Sequence, residues 1–269
     1  MLSIGIGPFA LAVDHLVLMG ALGVAVAVGG WLARRRGVGS PENLIFSLFL
    51  LALLASRLGF VARYGREYLD NPWQVIDLRD GGFALAPGLL TLIAASLWQG
   101  WRRRALRVPL AAALACGLLV WGTAGLINQQ QHDSPTLPQV ALQDAQGRQV
   151  SMPGNDPRPL VVNLWASWCP PCRREIPALL QAQARRGDVR FVFINQGETP
   201  EDVSNFIATT GLDQEQVAYD PGSQWGRHVR SVALPTTLFY SNDGRLLGSH
   251  LGELSEATLA DAMKVFPAP

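Results

Sequence analysis

Cys169 and Cys172 stand two residues apart in the segment N-L-W-A-S-W-C-P-P-C, residues 163–172. That spacing makes either a redox pair or half of a zinc site. Zinc requires further ligands, and the remaining candidates are Cys116 in an apolar stretch and scattered histidines. The redox reading is therefore preferred, with no metal and no cofactor beyond the cysteine pair. An apolar run of strand length, 160–165, leads into the motif, and residues 169–184 have helical spacing. Cys169 thus falls at the first turn of a helix, where free amides and the positive end of the dipole stabilise a thiolate. It is expected to be the exposed attacking sulfur, with Cys172, one turn on, as the resolving thiol. Pro170 and Pro171 preset φ for helix entry but remove two N–H donors. Cys169 is left mainly with the amide of Cys172, which implies a moderate thiolate and a less oxidising pair.

Two carboxylates are candidates for proton transfer. Glu175 follows Cys172 by three residues, shares its helix face and could accept its proton; the alternative is a solvated helix glutamate. Glu198, just past a strand end, is a possible secondary acid. Trp165 and Trp168 are expected to pack around the cysteines.

The elements that position these residues alternate. A polar stretch with two prolines, 128–138, reads as an exposed linker with His132 solvated. Residues 139–143 and 149–152 flank a turn, 189–195 is a buried strand, and Thr199 and Pro200 open a helix over 200–210. A short helix is expected within 220–229. Strands 236–241 and 245–251 flank N-D-G, a hairpin signal, and Ser255 caps a closing helix over 255–266. A β-α-β unit feeding a hairpin and a final helix suits a thioredoxin-like α/β domain, although periodicity alone permits other α/β folds.

The first half of the chain has a different composition, dominated by Leu, Ala, Gly and Val. Four apolar stretches, 9–33, 44–62, 83–100 and 108–127, approach the ~20 residues that a bilayer core requires. No basic residue precedes the first and arginines follow it, which argues against a cleavable signal peptide. Arg34, Arg35 and Arg36 follow the first stretch, and Arg102, Arg103, Arg104 and Arg107 lie between the third and fourth. Basic loops belong on the cytoplasmic side, so the N-terminus and everything after the fourth span are expected outside. Asp14 and Arg57 lie at similar depths on that outer side and suggest an interhelical pair. Cys116, alone in the fourth span, reads as small, buried and inert. A net charge of +1 gives no reason to expect nucleic acid.

Both halves resemble known families. W-A-S-W-C-P-P-C-R-R-E-I-P (165–177), N-Q-G-E (195–198), L-P-T-T-L-F (234–239) and N-D-G-R (242–245) resemble the periplasmic TlpA and cytochrome-c-maturation thioredoxins over about residues 136–266. That resemblance implies a cis Pro235 beside the cysteines, where the flanking backbone docks a substrate strand. Leu234, Pro235 and Trp168 become the expected docking residues, Glu175 matches an acidic residue near the active site, and Pro177 would kink the long helix. Cytosolic thioredoxins carry a buried aspartate where this chain has Asn163.

I-G-P-F-A-L-A (6–12), W-L-A-R-R-R (31–36), E-N-L (42–44), S-R-L-G-F-V (56–61) and D-G-G-F (80–83) are similar to the opening of prolipoprotein diacylglyceryl transferase, over about residues 4–115. Where that family has a histidine and two glycines, this chain reads Ala86-Pro87-Gly88, and the family's later arginine- and asparagine-containing signature has no counterpart. The resemblance implies ancestry and topology rather than transfer activity.

The expectation is a helical membrane domain over 1–127 with four transmembrane helices, a linker over 128–138, and a thioredoxin-like domain over 139–269. Its function would be disulfide reduction in client proteins, in cytochrome or copper-site maturation for example. Electrons would come from a separate membrane thiol reductase, since Cys116 is alone in the spans. Its place would be the bacterial inner membrane, with the redox domain on the periplasmic side. The alternatives are a thiol oxidase or isomerase, and a transferase-related membrane protein with an auxiliary redox domain.

Overall fold

The computed structural model describes residues 3–6, 9–69, 72–131, 136–150, 152, 156–231 and 233–267. The chain forms two compact units. One comprises Val13–Val75 and Gly82–Gln131; the other comprises Met1–Ala12, Ile76–Gly81 and His132–Pro269.

The first unit is helical: α1 (Val13–Arg35), α2 (Glu42–Arg63), α3 (Leu85–Arg102) and α4 (Arg107–Gln131). Lipid supplies no hydrophobic force between helices, so close approach through small residues holds such a bundle. Gly29 of α1 faces Ala113 of α4, and Gly117 of α4 faces Ala25 of α1. A Cβ added to Gly59 of α2 would come within 2.4 Å of Pro87 of α3, so these helices touch through that glycine. Leu50, Leu54, Leu90, Leu97 and Leu119 are exposed apolar side chains, as a lipid-facing surface requires.

All four apolar stretches form helices as expected, and one sequence expectation, the start of the first, changes. Of the four apolar stretches, three give helices long and apolar enough to cross a membrane: Val13–Arg35, Glu42–Arg63 and Arg104–Ile127. The other, α3, has its apolar run diluted by Pro87, Gly88, Gln99 and Arg102, but its 18 residues rise about 27 Å, near the thickness of a bilayer core, so it completes the four-helix arrangement. Residues 9–12 were expected to begin the first span but form a strand instead. β1 (Ser3–Ile6) and β2 (Phe9–Ala12) pair antiparallel from Ser3↔Ala12 to Ile6↔Phe9. Gly5, Gly7 and Pro8 are poor helix formers, and helix begins only at Val13.

At the other end α4 continues through Gln131, so the first four residues of the expected linker are helical. His132 and residues 133–135 lie outside the described residues. Arg57 of α2 is buried. Its Nε donates to the carbonyl of Val75 at 3.0 Å, Nη1 to Gly82 at 2.9 Å and Nη2 to Gln74 at 2.6 Å. Sequence spacing, which pairs Arg57 with Asp14, does not reveal these carbonyl acceptors.

The second unit is built on a seven-stranded sheet of order β4-β3-β7-β6-β5-β8-β9. The strands are β3 (Leu142–Gln143), β4 (Gln149–Val150), β5 (Leu160–Trp165), β6 (Arg190–Gln196), β7 (Val217–Asp220), β8 (Thr236–Tyr240) and β9 (Leu246–Leu251). The helices are α5 (Pro170–Arg185), α6 (Pro200–Thr210), α7 (Gln224–His228) and α8 (Glu256–Ala262). β5 pairs parallel with β6 and antiparallel with β8. All six of its residues are buried, so it reads as a continuous apolar run and not an alternating one.

One core cluster gathers Val161, Trp165, Ile176, Leu179, Phe193 and Phe239; another gathers Val162, Leu164, Ile194, Trp225 and Tyr240. Alternate residues of β5 thus enter opposite layers. β7 escapes the sequence reading, which places a helix from residue 220 onward. Its four residues are too few for periodicity to declare a strand, and the helix starts only at Gln224.

Candidate active site around Cys169 and Cys172

β5 ends at Trp165, and the chain turns through Ala166, Ser167 and Trp168 before α5 begins. Cys169 is the N-cap of α5, and Pro170 and Pro171 fill the first two helical positions, where a missing N–H costs least. Cys169 and Cys172 are joined in a disulfide with their Cα atoms 5.3 Å apart. The Cys172 N–H donates to Cys169 Sγ at 3.3 Å, the one amide the proline pair leaves for it.

The exposure expected of Cys169 is not found in this disulfide form. Cys169 is 3% exposed and Cys172 is fully buried, both within the core cluster that holds Trp165 and Ile176. The tryptophans also divide: Trp165 is buried against Phe206, ring centroids 5.4 Å apart, whereas Trp168 is 67% exposed. Trp168 is thus a large apolar face on the surface, next in sequence to the pair.

Glu175 is not a solvated helix glutamate. Its side chain is completely buried, one turn beyond Cys172 on α5. Asn163 Nδ2 donates to Oε1 at 2.7 Å, and the Leu254 N–H donates to Oε2 at 3.0 Å. Burial dominates and pushes the carboxyl up to about 8, against these two donors, which pull it down. A carboxyl with that affinity holds its proton at neutral pH and exchanges it within reach of physiological conditions.

Asn163 also donates to Thr237 Oγ1 at 3.0 Å, across the antiparallel register that sets Asn163 opposite Thr237. Thr237 and the Leu254 amide were not identified from sequence. Both meet Glu175 or its partner only through tertiary pairing, which no local motif announces.

Glu198 lies two residues past β6. Its Oε2 accepts from the Ser167 N–H and from Asn195 Nδ2, each at 2.7 Å, and its Oε1 accepts from the Ser167 hydroxyl at 2.5 Å. The Leu234–Pro235 peptide bond is cis. Leu164↔Thr236 pairing brings the start of β8, and so Pro235, to the end of the sheet from which the cysteine turn emerges. Leu234 is partly buried and touches both core clusters. Pro177 lies inside α5 as expected.

Family comparisons agree with this geometry. Residues 132–265 match the Redoxin family, and residues 2–166 match the prolipoprotein diacylglyceryl transferase family. The chain is 32% identical over 96 residues to the thiol:disulfide interchange protein HelX of Rhodobacter capsulatus, covering 36% of this chain and 53% of HelX. It therefore spans only about half the length of HelX. It is 23% identical over 168 residues to the thiol-disulfide oxidoreductase ResA of Bacillus subtilis, covering 61% of this chain and 93% of ResA.

Among solved structures it is similar to a thioredoxin-family thiol:disulfide interchange protein of Chlorobium tepidum. That match has 25% identity and a TM-score of 0.42, and covers 49% of this chain and 94% of that one. The chain belongs to the prolipoprotein diacylglyceryl transferase family, matched over residues 2–166, and its second half is similar to Redoxin-domain thiol–disulfide oxidoreductases.

Proposed function

We propose that the protein is a disulfide reductase that works outside the cytoplasm, with Cys169 as attacking and Cys172 as resolving residue. The observation that carries this reading is the sulfur of Cys169 at the N-terminus of α5, receiving the Cys172 N–H, with the protonatable Glu175 buried one turn behind. In the reduced protein the Cys169 thiolate attacks one sulfur of a client disulfide. A mixed disulfide forms and the client's other sulfur leaves as a thiolate, which takes a proton from water. In the fraction of molecules whose Glu175 is ionised, which grows as pH rises toward 8, Cys172 then gives its proton to that carboxylate and attacks Cys169 Sγ, releasing the second client thiolate, which takes a proton from water. The client gains two electrons, and the protein is left as the Cys169–Cys172 disulfide.

The cysteines store those electrons themselves, so the cycle needs no bound cofactor. Leu234, Pro235 and the exposed Trp168 form the docking surface for an extended client segment. The clients are exported proteins carrying disulfides, of the kind that cytochrome or copper-site maturation supplies. A separate membrane thiol reductase returns the electrons. The helical unit holds the redox domain at the bacterial inner membrane, with the domain and the N-terminus on the periplasmic side.

Redox equilibration of the full-length protein against glutathione tests the direction. A reductase should come to balance nearer the about −270 mV of thioredoxin than the about −120 mV of a strong oxidase. A value at the oxidising end would make it an oxidase or isomerase. In parallel, Cys172→Ser should accumulate a mixed disulfide through Cys169, and Cys169→Ser should accumulate far less. Equal trapping by the two variants would overturn the assignment of attacker and resolver.

A further inference from the structure

We propose that Glu198 is a positioning residue for Cys169, acting through Ser167 and not as an acid. β5 and β6 pair in parallel register with Trp165 opposite Asn195, so the chains leaving the two strands run side by side. Two residues beyond Trp165 stands Ser167; three beyond Asn195 stands Glu198. The carboxylate binds both donors of Ser167, its N–H and its hydroxyl, and is steadied from below by the side chain of the buried Asn195.

Glu198 itself has little freedom. Gly197, before it, takes the left-handed conformation at φ +81° and donates its N–H to the Asp220 carbonyl at 2.9 Å. Thr199, after it, is the N-cap of α6 in a reciprocal capping box with Asp202. A side chain fixed at both backbone ends thus grips the turn 166–168. That turn delivers Cys169, whose own N–H is bound to the Ala166 carbonyl at 3.2 Å.

The consequence concerns the thiolate. Pro170 and Pro171 leave the sulfur of Cys169 one nearby amide, so its stabilisation depends on staying at the end of α5. A turn free to shift loses that alignment, and a displacement of about 1 Å in a reacting group is costly. With three donors on its two oxygens, Glu198 is engaged as an acceptor and is poorly placed to shuttle a proton. Gln at this position can keep the arrangement: its carbonyl oxygen accepts from the Ser167 N–H and from Asn195, and its NH₂ donates to the Ser167 hydroxyl. Ala cannot.

The inference rests on Cys169 being the attacking sulfur. The test uses full-length protein in detergent, reduced, in a Cys172→Ser background, and follows the pH dependence of iodoacetamide alkylation of Cys169 together with thermal unfolding. Glu198→Ala should move the alkylation midpoint to higher pH and slow the reaction at neutral pH about tenfold, Ser167→Ala should do so in part, and Glu198→Gln should restore the wild-type profile. A midpoint unmoved by Glu198→Ala, even with a lowered unfolding temperature, would mean the contact only stabilises the fold. Equal downward shifts for Gln and Ala would mean that the charge of Glu198 matters and its grip does not. Either result overturns the proposal. Failure of the attacker assignment is read separately, as preferential alkylation of Cys172 in the protein that retains both cysteines.

Discussion

Asn163 on β5 donates a 2.7 Å hydrogen bond to Glu175 on α5, and both residues are buried. An amide in that place offers the carboxyl a donor without adding a charge of its own. The proton of Glu175 is therefore governed by burial first and by two neutral donors second.

The fold should be sensitive to pH through this residue. The carboxyl stands at about 8 in the folded protein and near its ordinary value of 4.5 in an unfolded chain. Between those limits the folded state holds a proton that the unfolded chain has released. Stability consequently falls as pH rises through that window and levels off above it. Glu175→Gln removes the dependence: the variant should match wild type near pH 4 and exceed it by a few kcal/mol near pH 9. Thermal unfolding of the two full-length proteins at both pH values checks this, and parallel curves would show that Glu175 is not held protonated.

The same substitution should slow turnover even as it stabilises. Resolution of the mixed disulfide needs an acceptor for the proton of Cys172, and a positioned base typically contributes about 10²-fold or more. Wild-type resolution, followed by stopped-flow tryptophan fluorescence, should accelerate as pH rises toward 8. Glu175→Gln should be slower and lack that limb of the profile. An unchanged rate would remove Glu175 from the chemistry.

What could be read in advance divides by the range of the interaction. Cys169 and Cys172, the Thr199-Pro200 helix start, the N-D-G hairpin and the Ser255 cap are local signals, and all appear at or within a residue or two of their expected places. The burial of Glu175 was not legible. Its i+3 relation to Cys172 is also that of a solvated helix residue, and only the strand carrying Asn163 and the loop carrying Leu254 decide between them. Glu198 was noticed for its place after a strand, but its partner Ser167 belongs to a different strand exit. Short strands suffered most. β7 has four residues, too little pattern to count, and of the expected pair 139–143 and 149–152 only two residues on each side form β3 and β4.

Topology provides the third expectation. Arg34, Arg35 and Arg36 after α1, and Arg102, Arg103, Arg104 and Arg107 before or at the start of α4, favour the cytoplasmic side. Protease added to intact spheroplasts should digest the domain after Gln131 while leaving a membrane-protected helical fragment. A domain that is cut only after lysis would invert the orientation and with it the reductase's compartment.

The last expectation is that the membrane unit does not transfer diacylglycerol, although it belongs to a transferase family. The histidine of that family's motif is replaced by Ala86-Pro87, neither of which can take up a proton from a reacting thiol. The structure shows what this segment does here. Pro87 sits against Gly59, and a Cβ at Gly88 would come within 3.1 Å of Ser56, so the altered motif is helix-packing surface between α2 and α3. Ser56 reinforces that contact by donating its hydroxyl to the Ala84 carbonyl at 2.7 Å. Arg57, a neighbouring cation available to a lipid headgroup, already gives Nε and both Nη nitrogens to main-chain carbonyls. Releasing it would leave the buried Gly82 carbonyl without this donor, at about 1–3 kcal/mol, and would also free the part-buried carbonyls of Gln74 and Val75. A strain depleted of its lipoprotein diacylglyceryl transferase should therefore not be rescued by this protein. Rescue that persists in the Cys169→Ser variant would show an active transferase in the helical unit and would end its reading as an anchor.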